Sequence, residues 1–110
     1  MAFVRACAVA DVTAGKPHAV TVEGTDLALV RDGDDFYAVY DECSHSAIAL
    51  SEGDVEGCYI ECWLHGSTFD LRDGKPTTLP AFEPVAVYPV RVEGDDLLVD
   101  VENPLNGVRA

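Results

Sequence analysis

The sequence predicts an all-β fold, a small antiparallel sandwich or barrel, and three observations support this prediction. Short runs rich in Val, Leu, Tyr and Phe recur along the chain, and the segments between them have turn compositions with Gly, Asp and Pro. No window of eleven residues has the apolar period of a helix. The length of 110 residues and the apolar fraction of 48% are ordinary for one globular domain.

The first forty residues contain four predicted strands in antiparallel hairpins. The strands are residues 4–9, 19–22, 27–31 and 36–40, and the breaks between them are 13–17, 23–26 and 32–35. The breaks are short and polar, which favours tight turns between neighbouring strands. We therefore expect a meander.

The C-terminal part predicts two further strands, residues 85–92 and 97–101, joined by a turn at 93–96. Pro89 has no backbone N–H, so an edge position is favoured for this segment. We expect the two ends of the chain to pair in one sheet system. Residues from Asn103 onward have little apolar content and are expected to fray.

The middle of the chain, about 41–80, is predicted to be an insertion with short strands of its own. Four glycines interrupt it, and its best strand candidates are residues 59–61 and 67–71. We interpret the chain as a single domain of residues 1–103 followed by a C-terminal tail, 104–110.

The chain is strongly acidic, with a formal net charge of −13. This charge argues against nucleic acid or an anionic membrane as a partner. Between Arg31 and Arg72 there is no Lys or Arg, whereas half of the twenty acidic residues fall there. These are Asp32, Asp34, Asp35, Asp41, Glu42, Glu52, Asp54, Glu56, Glu61 and Asp70. This acidic block is either a solvated face or a docking surface for a basic partner.

The sequence has no charged stretch leading into a long apolar run, and nowhere are eighteen consecutive residues apolar. We expect a cytoplasmic, soluble monomer. Four cysteines are present, but two lie beside histidines at the spacing of metal ligands, so a disulfide framework is the poorer interpretation. Cys7 and Cys58 are then free thiols, and Cys7 is expected to fill a small buried apolar position.

Two Cys/His pairs carry the strongest functional signal. Cys43 and His45 are separated by one residue, Cys62 and His65 by two, and sixteen residues lie between the pairs. Two sulfur and two nitrogen donors suit zinc or an iron–sulfur centre. A zinc finger usually places two cysteines on one knuckle and two histidines on a helix. One Cys and one His in each pair instead favours a two-iron centre.

These residues resemble the Rieske family of iron–sulfur proteins, whose pattern is Cys-x-His, about sixteen residues, then Cys-x-x-His-Gly. The matching segments are 43–45 and 62–66, followed by 67–70. Segments 79–85 and 90–95 also resemble the small Rieske ferredoxins of bacterial ring-hydroxylating oxygenases, so the resemblance covers nearly the whole chain. It implies the Rieske fold, in which a cluster-binding subdomain is inserted into a β base.

The resemblance also implies one [2Fe–2S] cluster per chain. Cys43 and Cys62 would bind one iron and His45 and His65 the other, with Ser67 donating a hydrogen bond to sulfur. High-potential members have a disulfide between the two loops and a tyrosine donor. The matching positions here are Ile48, Leu64 and Phe69. We therefore expect a low potential, below about +100 mV in the Rieske window.

Catalysis by the chain itself is not expected. After His45 and His65 are assigned, only His18 remains, too few for a mononuclear iron site, and there is no Gly-x-Gly-x-x-Gly dinucleotide motif. We expect a one-electron carrier from a flavin- or iron-containing reductase to a terminal oxygenase, docking transiently through charge. The alternatives are a small subunit of nitrite reductase or of a cluster-assembly complex, and a structural zinc-binding interaction module.

Overall fold

The computed structural model describes residues 3–42, 49–62, 67–77 and 83–106. These residues form ten strands and two short 3-10 helices, Val9–Asp11 and Leu50–Glu52. The strands are β1 (Val4–Ala8), β2 (His18–Val22), β3 (Thr25–Asp32), β4 (Asp35–Tyr40), β5 (Val55–Glu56), β6 (Tyr59–Glu61), β7 (Thr68–Asp70), β8 (Val87–Tyr88), β9 (Val90–Glu93) and β10 (Asp96–Val99). The all-β prediction is confirmed.

The strands form three antiparallel sheets. The central sheet has the order β2-β3-β4-β8, a second sheet has the order β1-β10-β9, and the inserted sheet has the order β5-β6-β7. Pairing of Val4 with Val99 confirms that the two ends of the chain share one sheet. The predicted meander is confirmed for β2 to β4, but β1 lies in the other sheet.

The central sheet is buried on both faces. Successive side chains of a strand point to opposite sides, so each strand of this sheet can contribute to two apolar clusters. Leu27 and Leu29 of β3 face the second sheet, in a cluster that includes Cys7, Leu97 and Val99. Ala28 and Val30 face the inserted sheet, in a cluster with Leu50, Ile60 and Phe69. Each such large apolar side chain stabilises the fold by roughly 1.5–3 kcal/mol when fully buried. The inserted sheet is therefore held on the base by a shared core.

Pro89 divides the predicted strand 85–92 in two, so the prediction of one continuous strand is wrong. β8 pairs with β4 in the central sheet, and β9 pairs with β10 in the second sheet. Pro89 has no N–H for either ladder, and its carbonyl accepts from Asp100 N at 3.2 Å. Both β8 and β9 are edge strands, as the position of Pro89 predicts.

Residues 103–106 are ordered against the base, so the expectation of fraying from Asn103 is wrong for them. Leu105 N donates to Val87 O at 2.7 Å, and the side chain of Asn106 makes further hydrogen bonds. The remainder of the predicted tail, 107–110, lies outside the described residues. The domain limits of 1–103 and 41–80 stay predictions.

Candidate metal centre

Cys62 and Ser67 lie at the ends of two paired strands of the inserted sheet. Cys62 directly follows β6 and Ser67 directly precedes β7. Cys62 N donates to Ser67 O at 2.7 Å, which extends the antiparallel ladder by one step. The connection that carries His65 therefore starts and ends at a rigid strand pair. The other predicted ligands, Cys43, His45 and His65, lie outside the described residues.

The thiol of Cys62 is buried. Cys62 is 0% exposed and belongs to the apolar cluster between the central and inserted sheets, with Leu50, Ile60 and Phe69. Ser67 is also 0% exposed. A buried hydroxyl next to a buried cysteine suits hydrogen bonding to sulfur, and the site excludes water from this side.

Phe69 has the position that the resemblance assigns to a tyrosine donor in high-potential members. Its ring is fully buried and pairs across the sheet with Ile60. Packing in the core accounts for this residue, and it has no hydroxyl to offer. The low potential inferred from Phe69, Ile48 and Leu64 stays a prediction, because Ile48 and Leu64 lie outside the described residues.

Asp41 joins the two ends of the segment that carries Cys43 and His45. Ser51 N donates to Asp41 Oδ1 at 2.7 Å, and Ser51 Oγ donates to Asp41 Oδ2 at 2.6 Å. These bonds span residues 42–50 and bring the start and end of that segment together. From the sequence alone, Asp41 is visible only as one charge of the acidic block. An Asp at the start of a loop commonly accepts hydrogen bonds from the loop, and this position was the sequence signal for the role of Asp41.

Gly53 brings the segment after the first Cys/His pair against the strand that precedes the second. A Cβ at this position would lie 1.7 Å from Glu61 O, which is too close for any residue with a side chain. Glu61 N also donates to Asp54 O at 2.8 Å. The backbone next to Cys62 is thus in direct contact with the backbone that follows the first pair. From the sequence alone, Gly53 is visible only as one of the glycines that interrupt the insertion.

A groove of about 570 Å³ lies on the outer face of the inserted sheet. It is lined by Asp54, Val55, Glu56, Tyr59, Glu61, Thr68 and Thr77. Glu61 and Thr68 are sequence neighbours of Cys62 and Ser67, so one end of the groove adjoins the site. Three carboxyl groups and a Tyr59 that is 38% exposed give the groove negative charge and aromatic surface. We call these seven residues the acidic groove.

Two members of the acidic block have structural partners. Asp41 accepts from Ser51. Asp70 accepts two hydrogen bonds from the Arg72 guanidinium, Nε to Oδ1 at 2.9 Å and Nη2 to Oδ2 at 2.7 Å, and a third from Arg72 N at 2.9 Å. The Arg72 guanidinium lowers the pKa of Asp70. Asp41 and Asp70 are therefore poor candidates for a partner's positive charge, whereas the acids of the groove remain available.

Cys7 and Cys58 are free thiols. Cys7 is 6% exposed within the apolar cluster beneath the second sheet, and burial raises the pKa of its thiol. The expected buried apolar role of Cys7 is confirmed. None of the described segments forms a helix long and apolar enough to cross a membrane.

Comparison with known families defines the class of protein. Residues 2–89 match the Rieske [2Fe-2S] domain, and this chain belongs to that family. The cofactor of the chain is accordingly a [2Fe–2S] cluster. The described part of the site fits this cluster, since Cys62 would supply a sulfur ligand from a buried position at the end of a strand, and the buried Ser67 pairs with it through the backbone. The interpretation as a structural zinc module is wrong.

Individual relatives of this chain are ferredoxins, which are electron carriers. The 3-phenylpropionate/cinnamic acid dioxygenase ferredoxin subunit of Shigella flexneri serotype 5b (strain 8401) is 41% identical over 99 residues, covering 89% of this chain and 92% of that one. The ferredoxin of carbazole 1,9a-dioxygenase from Nocardioides aromaticivorans IC177 superimposes with a TM-score of 0.86 at 40% identity, covering 90% and 97%. This chain is an electron carrier and not itself an enzyme.

A third similarity comes from a solved assembly, the complex of reduced oxygenase and oxidized ferredoxin in carbazole 1,9a-dioxygenase. A chain of that complex matches with a TM-score of 0.82 and 37% identity, covering 88% of this chain and 91% of its own length. The Rieske fold expected from the sequence is confirmed by these structural similarities.

Proposed function

We propose that this chain passes single electrons from a flavin- or iron-containing reductase to a terminal oxygenase. Cys43 and Cys62 bind one iron, His45 and His65 bind the other, and Ser67 donates a hydrogen bond to sulfur. The observation that supports this most is the buried Cys62 and Ser67 pair, closed by a backbone hydrogen bond at the end of β6 and β7. The chain then works in the cytoplasm as a monomer.

The ligand set determines how readily the cluster accepts an electron. A [2Fe–2S] cluster supplies one-electron chemistry. Two thiolates and two neutral imidazoles bring two fewer negative charges than four thiolates, so accepting an electron is easier than in a four-cysteine site. The buried apolar contacts of Cys62 and the single hydroxyl of Ser67 stabilise added negative charge weakly. We therefore place the potential in the lower part of the Rieske window.

A terminal oxygenase is the acceptor that the similarities support. One relative is a dioxygenase ferredoxin subunit, and a chain similar to this one belongs to an oxygenase–ferredoxin complex. An interface that must form and dissociate in every cycle is expected to be small and guided by charge. The acidic groove adjoins Cys62 and supplies that charge through Asp54, Glu56 and Glu61.

Reconstitution of electron flow tests the proposal. The purified holoprotein should contain iron and acid-labile sulfide in about equal amounts, should be reduced by a ferredoxin reductase with a nicotinamide cofactor, and should be reoxidised by a Rieske oxygenase with substrate. A colourless protein with one bound zinc would contradict the ligand assignment. A normal cluster that no oxygenase reoxidises, but that a nitrite reductase large subunit does, would contradict the acceptor alone.

A further inference from the structure

Asn106, in the C-terminal segment, forms hydrogen bonds with the turn that follows β7 and with the approach to β8. Its Nδ2 donates to Asp73 O at 2.8 Å and to Val85 O at 2.9 Å. Its Oδ1 accepts from Val87 N at 3.3 Å. One side chain thus uses its amide N–H groups and its carbonyl on three backbone groups that lie 19, 21 and 33 positions away in sequence.

We propose that Asn106 is a positioning residue for the metal site. Its side chain holds the β6–β7 pair in place on the central sheet. The proposal rests on the function proposed above, because the site in question is the one to which Cys62 and Ser67 belong. None of the described hydrogen bonds of Asn106 goes to Cys62 or Ser67. Asn106 acts through the turn that follows β7.

Gly74 shows how closely that turn approaches the central sheet. Its φ is +75°, and a Cβ on it would lie 2.1 Å from Val85 O, 2.8 Å from Asn106 Nδ2 and 2.9 Å from Val87 Cγ2. Val85 N donates to Gly74 O at 2.9 Å. The turn therefore contacts the central sheet backbone to backbone, and the Asn106 amide lies against this contact.

The turn is linked to the site by backbone hydrogen bonds along β7 and by the chain of β7 itself. Gly74 N donates to Asp70 O at 2.7 Å, and Asp70 N donates to Lys75 O at 2.9 Å. Thr77 N donates to Thr68 O at 2.7 Å, one residue after Ser67. Ser67 O in turn accepts from Cys62 N. A shift of the turn away from Val85 is therefore transmitted to β7 and to the backbone of Ser67.

The C-terminal segment itself is anchored independently of Asn106. Leu105 N donates to Val87 O at 2.7 Å, and Asn103 Nδ2 donates to Asp100 Oδ2 at 2.9 Å. Asn103 is the same residue type in the same segment, and its described hydrogen bond stays within that segment. Asn103→Ala is therefore a matched control for the loss of an asparagine near the C-terminus.

The test uses the full-length holoprotein with Asn106→Ala, Asn106→Asp and Asn103→Ala. Asn106→Ala removes the three described side-chain bonds, and Asn106→Asp keeps an acceptor for Val87 N but places a carboxylate against the carbonyls of Asp73 and Val85. Each variant is characterised by its thermal midpoint, its reduction potential and electron paramagnetic resonance spectrum, and its rate of cluster loss in the presence of a chelator.

Both Asn106 variants should lose the cluster faster than Asn103→Ala by at least about fivefold, the factor that corresponds to one net hydrogen bond of about 1 kcal/mol. Their potential or spectrum should also shift, which a purely stabilising residue would not cause. Lower thermal stability with unchanged potential, spectrum and cluster loss overturns the proposal. So does failure of both Asn106 variants to fold, since Asn106 would then support the whole fold. Absence of iron and sulfide from the wild type instead contradicts the function proposed above.

Discussion

At the scale of single residues, Ser67 is the group that most directly controls the proposed centre. It is fully buried at the start of β7 and its carbonyl accepts from Cys62 N. We expect Ser67→Ala to lower the reduction potential by about 40 mV, if its hydrogen bond is stronger by about 1 kcal/mol in the reduced state. Potentiometric titration followed by visible absorption measures this shift.

The control for Ser67→Ala is Cys62→Ser, which removes a proposed ligand and not a donor to it. Cys62→Ser should lose the cluster, whereas Cys58→Ser, at a partly exposed free thiol of the same sheet, should keep it. A normal cluster spectrum in Cys62→Ser would contradict the ligand assignment. An unchanged potential in Ser67→Ala would mean that its hydroxyl does not reach sulfur.

Gly53 is a residue whose identity is required by a close backbone contact with Glu61. Gly53→Ala should destabilise the holoprotein by roughly 1–3 kcal/mol, because its Cβ would overlap Glu61 O and push β6 away. Gly33→Ala is the control, since Gly33 has φ +61° in open space and pays only the backbone strain of about 1–2 kcal/mol. Urea unfolding measures both, and only Gly53→Ala should also accelerate cluster loss. Equal cluster-loss rates in the two variants would contradict this role.

At the scale of elements, the inserted sheet depends on hydrogen bonds and contacts at its ends as well as on its apolar core. Asp41 and Ser51 close the segment before it, Gly53 contacts Glu61 within it, and Arg72 pairs with Asp70 at its far end. The sheet's own strands have two or three residues each, too short to be stable alone. Contacts of this kind and the shared core therefore stabilise the geometry of the sheet.

The pairing of Asp70 with Arg72 predicts a pH dependence. Because the pKa of Asp70 is lowered in the folded protein, its contribution is complete above the ordinary aspartate value of about 3.9 and is lost as the pH falls through the lowered pKa. Asp70→Asn should cost at most about 1 kcal/mol at pH 7, since Arg72 is 59% exposed and solvent screens the pair. Urea unfolding at pH 7 and below pH 4 tests this, and a difference that grows in acid would contradict it.

At the scale of elements, the sequence predicted those strands whose apolar runs are long enough to be visible. β2, β3, β4 and β6 fall within the predicted strands or extend them by one or two residues. β5 was missed because its two residues, Val55 and Glu56, form no recognisable run. The division at Pro89 was missed because the apolar alternation continues through it, although the two halves pair with different strands.

At the scale of the whole molecule, the acids that we propose for docking differ from those that have structural partners. Asp41 and Asp70 are occupied by Ser51 and Arg72, and the acidic groove adjoins Cys62 on the outer face of the inserted sheet. Asp95, by contrast, lies in the turn between β9 and β10 of the second sheet. Among the described residues, the groove places three carboxyl groups on the strands and turns that lead to Cys62 and Ser67.

Neutralising the groove should therefore slow partner reduction. Asp54→Asn should lower the second-order rate of electron transfer to an oxygenase with a basic docking rim severalfold at low salt, and the difference should vanish at high salt. Asp95→Asn is the matched control with the same loss of charge. Stopped-flow measurements at several ionic strengths test this, and equal effects of the two variants would show that only net charge matters.

The sequence by itself determined the all-β class, the family and the identity of the proposed ligands. Turn composition, strand alternation and the spacing of Cys and His are local properties, which a short segment displays without its surroundings. Only the tertiary structure decided the roles of Asp41, Gly53 and Asn106. Asn106 bonds to residues 21 and 33 positions away, and such contacts between distant segments leave no local pattern because folding alone brings them together.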